Sequence, residues 1–141
     1  MNKVVPLRHF PAFELEDPSA DISVIMVVYL TGPALFTSIA RVLADPDVDD
    51  FVIVDNGSSE ADQARLFAIS QTDDRIRLLQ GHGNIGFAGG ANLGASAARG
   101  RFLVFLNPDA FLERGCARAL FAETTGRPSP CVVGARILNE G

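Results

Sequence analysis

Continuous β-branched runs, separated by stretches with helical spacing, constrain this chain more than any single motif. ISVIMVVY (22–29) and FVIV (51–54) are apolar at almost every position, the mark of strands buried on both faces of a sheet. Between them, Pro33 suits the first turn of a helix, and Leu35, Phe36, Ile39, Val42 and Leu43 follow as a core-facing stripe. Ser59 with Asp62 resembles a capping box that opens a second helix over 60–71. A third strand is expected over 76–80, weakened by Arg75 and Arg77, then a helix of small residues over 87–99. A strand over 101–106, a helix over 111–124 and a strand over 131–138 complete the pattern. Repeated strand–helix–strand units predict an α/β fold in three layers, helices on both faces of a mostly parallel sheet. The acids of DPDVDD (45–50) read as a solvated loop, and residues 1–20, with Pro6, Pro11 and Pro18, as an extended leader to a domain over 21–141.

Size and charge narrow the partners. A chain of 141 residues can bury a real core. The net charge is −5, and the 12 Lys and Arg are scattered, which argues against nucleic acid, since binding its phosphates needs clustered cations. An anionic ligand would have to be held locally, by backbone amides, a metal ion or a few arginines. Cys116 and Cys131 make neither a disulfide framework nor a zinc pattern, and read as free thiols of a reducing compartment. The apolar run Ile22 to Leu30 is shorter than the roughly 20 residues of a membrane span, and the proline-bearing N-terminus lacks the apolar core of a signal peptide. A cytoplasmic protein is expected, with peripheral contact at the inner membrane surface as an option.

Parallel sheets of this kind bind ligands outside the carboxyl ends of their strands. The turns to inspect are therefore Tyr29 to Thr31, Asp55 to Ser59, Gly81 to Gly86 and Asn107 to Asp109. Gly81 to Gly86 fits the G-x-G-x-x-G pattern of a dinucleotide site, so an NAD-dependent oxidoreductase is one reading. Against it, the preceding strand is short and arginine-dotted, and Asn107 and Pro108 intervene before the acid at Asp109. Gly89, Gly90 and Gly94 suit close helix packing. Asn84 and Asn92 either hydrogen-bond a sugar or base, or brace the loop.

Taken together, VVY (27–29), VDNGSS (54–59), NIGFAGGANLG (84–94) and FLNPDA (105–110) resemble, in order, the motifs of family 2 inverting glycosyltransferases of the GT-A fold. The similarity is greatest to the rhamnosyltransferase-like branch, and runs from Asp21 to Leu138. The resemblance implies a Rossmann-like nucleotide-sugar-binding domain, a divalent cation (Mn²⁺ or Mg²⁺), and displacement at the anomeric carbon with inversion. The donor would be a UDP- or dTDP-linked sugar, and the acceptor a glycan or lipid-linked molecule of a bacterial cell-surface polysaccharide.

Carried over onto this chain, Asp55 would accept a hydrogen bond from the base or nucleoside; the alternative is a turn aspartate capping its own backbone. Val28 and Tyr29 would line the nucleoside pocket, unless they pack in the core. Asn84, Gly86 and Asn92 would line the nucleotide and phosphate side, Asn107 the ribose or the cation's water, and Asp109 the cation itself. Arg99 either faces the same pocket or caps a helix end. Asn107-Pro108-Asp109 departs from the family's D-x-D motif in its first acid, leaving one carboxylate; Mg²⁺ is commonly held by so few when substrate phosphates contribute.

The general base of an inverting transferase would lie, by the resemblance, beyond the residues present here. Glu113 and Glu123 read as solvated, and no catalytic residue is assigned. The expectation is therefore an incomplete GT-A domain, a donor half that needs a C-terminal acceptor half and transfers little alone. A non-catalytic nucleotide-binding module describes the same chain by itself.

Overall fold

The structure, a computed structural model, describes residues 21–127 and 131–135; the expected leader over 1–20 lies outside them. Eight elements alternate: β1 (Ile22–Val28), α1 (Ala34–Ala44), β2 (Asp50–Asp55), α2 (Glu60–Ser70), β3 (Ile76–Leu79), α3 (Gly86–Ala97), β4 (Phe102–Phe105) and α4 (Cys116–Ala122). Every strand pairing is parallel, in the order β3-β2-β1-β4.

Alternation of side chains across the pleat splits the two central strands between two cores. Ile22, Val24, Met26 and Val28 of β1 join Phe51 and Ile53 of β2 on one face, covered by Leu35, Ile39 and Val42 of α1, Leu66 of α2 and Ala117 of α4. Ile25, Val27, Val52 and Val54 point the other way, beneath Ala91, Leu93 and Ala95 of α3. The result is the three-layer α/β architecture expected. α3 rests on the sheet through its small residues: a Cβ on Gly94 would stand 2.5 Å from Ile25 Cγ2, and one on Gly90 2.8 Å from Val27 Cγ1.

Strand order explains why one helix lies alone. The chain steps outward from β1 to β2 to β3, then returns past both to place β4 on the far side of β1. Parallel crossovers are right-handed, so reversing the direction of travel moves the crossover helix to the opposite face. β1 and β4 thus flank the switch point, where such sheets open a crevice.

Three sequence expectations need correction. The acids of 45–50 are not merely solvated. Asp45, fully buried, accepts from the backbone N–H groups of Asp47 (3.1 Å) and Gly115 (3.1 Å). Asp49 receives Ile22 N–H at 2.9 Å. Asp50 opens β2 and is gripped by Arg77 at 2.7 and 2.8 Å, Ser23 Oγ at 2.6 Å and Arg99 N–H at 3.0 Å. Burial is the largest influence on Asp50 and pushes its carboxyl up, but the bonds from Arg77, Ser23 and the Arg99 backbone together hold it below the ordinary value. The helix expected over 111–124 begins only at Cys116, because Gly115 takes a left-handed φ of 80° at its N-terminus. Residues 131–135 form no strand, and Val132 is 99% exposed; the rest of the strand expected over 131–138 lies outside the described residues.

Candidate functional site

All four turns singled out in the sequence lie at the carboxyl edge of the sheet. Asp55 ends β2 at 4% exposure. Its Oδ1 accepts the N–H groups of Gly57 (3.1 Å) and Ser58 (2.8 Å), and its Oδ2 accepts Gln80 Nε2 at 2.9 Å. Burial again pushes this carboxyl up most strongly, yet the Gln80 bond and the two backbone bonds outweigh it and keep it below the usual carboxylate range. The self-capping turn and a charged group at the strand's end therefore coexist. The buried Ser58 hydroxyl has no well-formed hydrogen bond, though it stands close enough to favour the ionised form of Asp55.

Asn56, 2% exposed, ties this turn to the glycine loop. Its backbone N–H donates to Val28 O at 2.8 Å, its Nδ2 to Gly86 O at 3.0 Å, and its Oδ1 pairs with His82 Nε2 at 3.1 Å. In the loop itself, Gly81, Gly83 and Gly86 have φ of 86°, 69° and 76°, a left-handed backbone that disfavours any side chain. Asn84 Oδ1 accepts Gly86 N–H at 2.9 Å, so Asn84 braces the loop whatever else it touches. Asn56 and His82 lie within turns singled out in the sequence but, like Gln80, were given no role there. Nothing local distinguishes them, because each acts across 25 to 30 residues.

Tyr29 follows β1, is 52% exposed, and lays its ring edge along the 55–59 turn, where a Cβ on Gly57 would stand 3.6 Å from Tyr29 Cε2. It is a surface group at the site, not a core one. Val28 corrects the opposite way: it is fully buried in the core, so its side chain lines no pocket and its carbonyl holds Asn56. Beside the middle of β1, Leu106 N–H donates to Ile25 O at 3.0 Å, and exposed Asn107 and Asp109 follow in the next turn, closed by Ala110 N–H to Asn107 O at 3.1 Å.

Two residues do not join this group. Asn92 is exposed in the middle of α3, whose sheet-facing positions are Gly90 and Gly94; helical rotation turns it away from the sheet. Arg99 lies past the end of α3, its N–H bonded to Asp50 at the amino edge, which removes it from the pocket considered for it. Glu113 and Glu123 are solvent-facing, paired with Arg41 at 3.0 Å and Arg127 at 3.4 Å.

The donor set limits what a metal can find here. Among the described residues no group of three or more His, Cys, Asp or Glu is placed to hold an ion. A hard cation at this edge would need a ligand's oxygens to complete its shell. The dinucleotide reading loses ground on topology: the glycine loop follows β3, an edge strand of the sheet. No helix among the described residues is long and apolar enough to cross a membrane.

Comparison with known proteins extends the picture. Residues 23–141 match the family described as glycosyl transferase family 2. The glycosyltransferase GlyG of Streptococcus pneumoniae is 25% identical over 114 residues, 80% of this chain and 38% of GlyG. The succinoglycan biosynthesis protein ExoO of Rhizobium meliloti is 33% identical over 94 residues, 66% of this chain and 26% of ExoO. The chain thus spans well under half the length of either relative. Among solved structures, S. aureus TarS 1-349 superposes with a TM-score of 0.61 at 18% identity, over 79% of this chain and 38% of TarS 1-349. The same protein in complex with UDP-GlcNAc gives 0.62 at 18% identity, over 79% and 37% of the two chains.

Proposed function

The chain belongs to glycosyl transferase family 2, and from that premise we propose that it binds the nucleoside diphosphate of a sugar donor along the carboxyl edge of its sheet. The observation that carries the reading is the Asn56 bridge, which ties the Asp55 turn to the left-handed glycine loop. Asp55, held charged and already accepting three hydrogen bonds, has one lone pair left, on Oδ2, for the ring N–H of a uracil or thymine base, with Tyr29 beside it as a stacking surface. The glycine loop and the amides of α3 that follow Gly86, whose own N–H is taken by Asn84, face the diphosphate, where a helix N-terminus favours negative charge by about 0.3–1 kcal/mol. Asn107 reaches the ribose, and Asn84 and Gly86 shape the phosphate side. Asn92, turned outward, contacts the donor only through a shift of α3.

Asp109 is the residue that would hold Mn²⁺ or Mg²⁺ together with the diphosphate. Bound there, the ion supplies positive charge against the charge that develops on the departing nucleotide. That the TarS structure of the same fold was determined with UDP-GlcNAc supports a nucleotide sugar as ligand, and the naming of ExoO for succinoglycan biosynthesis supports a bacterial polysaccharide as product. Asp55 is engaged by its hydrogen bonds, and Asp109, four residues past the end of β4, would be engaged by the cation. The base that deprotonates the acceptor is then supplied from elsewhere, and the 141-residue chain alone binds donor but transfers little.

Calorimetry with UDP, dTDP and NAD, each with and without Mn²⁺, tests the reading. Metal-assisted binding of a pyrimidine diphosphate is expected, and Asp109→Ala should abolish the assistance while shifting stability by no more than about 0.5 kcal/mol, as for an exposed side chain. Metal-independent uptake of NAD in place of UDP would overturn it.

A further inference from the structure

Asn56 and His82 are buried or half-buried polar groups that no strand or helix needs, and their arrangement fixes more than local geometry. Gly86 O can only accept, so the Asn56 amide must turn its Nδ2 toward it, at 3.0 Å. That orientation leaves Oδ1, an acceptor, facing His82 Nε2 at 3.1 Å, and the imidazole must carry its proton on Nε2. One side chain thereby clasps the glycine loop at two points, His82 and Gly86, four residues apart. The loop has no comparable anchor of its own: its glycines have open space where a Cβ would stand, and its internal brace is the Asn84 bond to Gly86 N–H. The Asn56 amide is itself fenced in, since a Cβ on Gly90 would stand 3.2 Å from Nδ2.

We infer that Asn56 and His82 act as a single bracket that holds the glycine loop in its ligand-ready shape, so that the two residues set affinity for the phosphates of the donor without touching them. The inference rests on the functional reading above. It makes both positioning residues. A loop of three left-handed glycines has many conformations to lose on binding an anion; a bracket already closed in the free protein removes that loss from the binding step. The nucleoside end, built on Asp55 and Tyr29, does not depend on it.

Calorimetric titration of UDP and of uridine into the unaltered chain, Asn56→Ala, His82→Ala, the double variant and His82→Gln separates the possibilities. Each single alanine variant should weaken UDP roughly three- to tenfold, the fold-change of one net hydrogen bond, and leave uridine unchanged. The double variant should be no weaker than Asn56→Ala, because the pair acts as one unit. His82→Gln, which keeps an N–H donor, should recover most of the UDP affinity. UDP affinity untouched by the single variants overturns the inference. So do additive losses, or a failure of His82→Gln to recover binding, since each would mean that the imidazole touches phosphate directly. Equal losses for UDP and uridine overturn it as well, by marking a general loss of structure. Should Asn56→Ala not fold, the comparison of His82→Ala with His82→Gln decides alone. If the unaltered chain binds neither ligand, it is the functional reading that has failed, and the bracket falls with it.

Discussion

Asp55 illustrates how a single side chain can satisfy two demands. Its backbone bonds to Gly57 and Ser58 shape the turn, while the Gln80 bond fixes its second oxygen. Because its folded-state value lies below the unfolded one, the unfolded chain binds more protons in the interval between them. Asp55 therefore contributes stability in full above the ordinary carboxylate range, and that contribution is lost as pH falls through the depressed value. Asp55→Asn should lower the urea midpoint at neutral pH and flatten its decline in acid, with the residual slope coming from Asp50 and Asp73, which are shifted in the same direction. An unchanged acid slope in urea titrations from pH 7 to 3 would show that these bonds do not favour the charged form. This residue was legible: an acid that closes a buried strand is conspicuous. Asp45 and Asp50 were not, although they stand in an acid-rich turn a few residues earlier. Their partners are Gly115, Arg77, Ser23 and the Arg99 amide, 27 to 70 residues distant, and a run of acids looks the same whether it meets water or such donors.

Elements were read best where one periodicity dominated. β1 and β2 are apolar on both faces because both faces are covered, and α1 keeps its stripe with Leu35, Ile39 and Val42 buried. β3 looked weak because it is an edge strand; Arg77 reaches back to Asp50, and Arg75, just ahead of the strand, donates to Leu43 O at 2.8 Å and Val48 O at 3.0 Å. α4 was drawn too long, since nothing local says which glycine will turn left-handed. Of the glycines of α3 read as packing residues, Gly90 and Gly94 do meet the sheet, whereas Gly89 faces Ile85 at the start of its own helix; Gly94 is the sharpest case. Alanine there gains about 1 kcal/mol of helix propensity. Its Cβ, however, would come within 2.5 Å of Ile25 Cγ2 and 3.2 Å of Val54 Cγ2, on β-branched side chains of buried strands that have few rotamers to retreat to. Overpacking of this kind costs about 1–3 kcal/mol, so Gly94→Ala should be net destabilising in urea unfolding, whereas Ser96→Ala, at an exposed position of the same helix, should not. A Gly94→Ala protein as stable as the unaltered one would mean that α3 lies farther from the sheet than described.

For the whole molecule, the decisive feature is that the proposed binding edge draws on four loops and, among the described residues, contains no preformed metal cage. The succession of strands and motifs along the chain could be read from the sequence; their order in the sheet and the bridge between the second and third turns could not, because the bridge exists only once β2 and β3 pair and bring Asn56 beside His82 and Gly86. A ligand that spans these turns should therefore stabilise the fold as a unit, while an ion alone should find too few donors among the described residues to do so. Linkage sets the size: a ligand at one hundred times its dissociation constant adds about 2.7 kcal/mol, which for a domain of this size raises the unfolding temperature by roughly 10 °C. Mn²⁺ by itself should leave the thermal transition in place, UDP by itself should raise it modestly, and the two together should raise it by more than the sum of the separate shifts. In Asp109→Ala the combined shift should shrink to that of UDP alone, since the remaining contacts belong to the base turn and the glycine loop. A shift produced by Mn²⁺ without nucleotide would instead require a cage of protein ligands, and the shared-ion account of this edge would have to be abandoned.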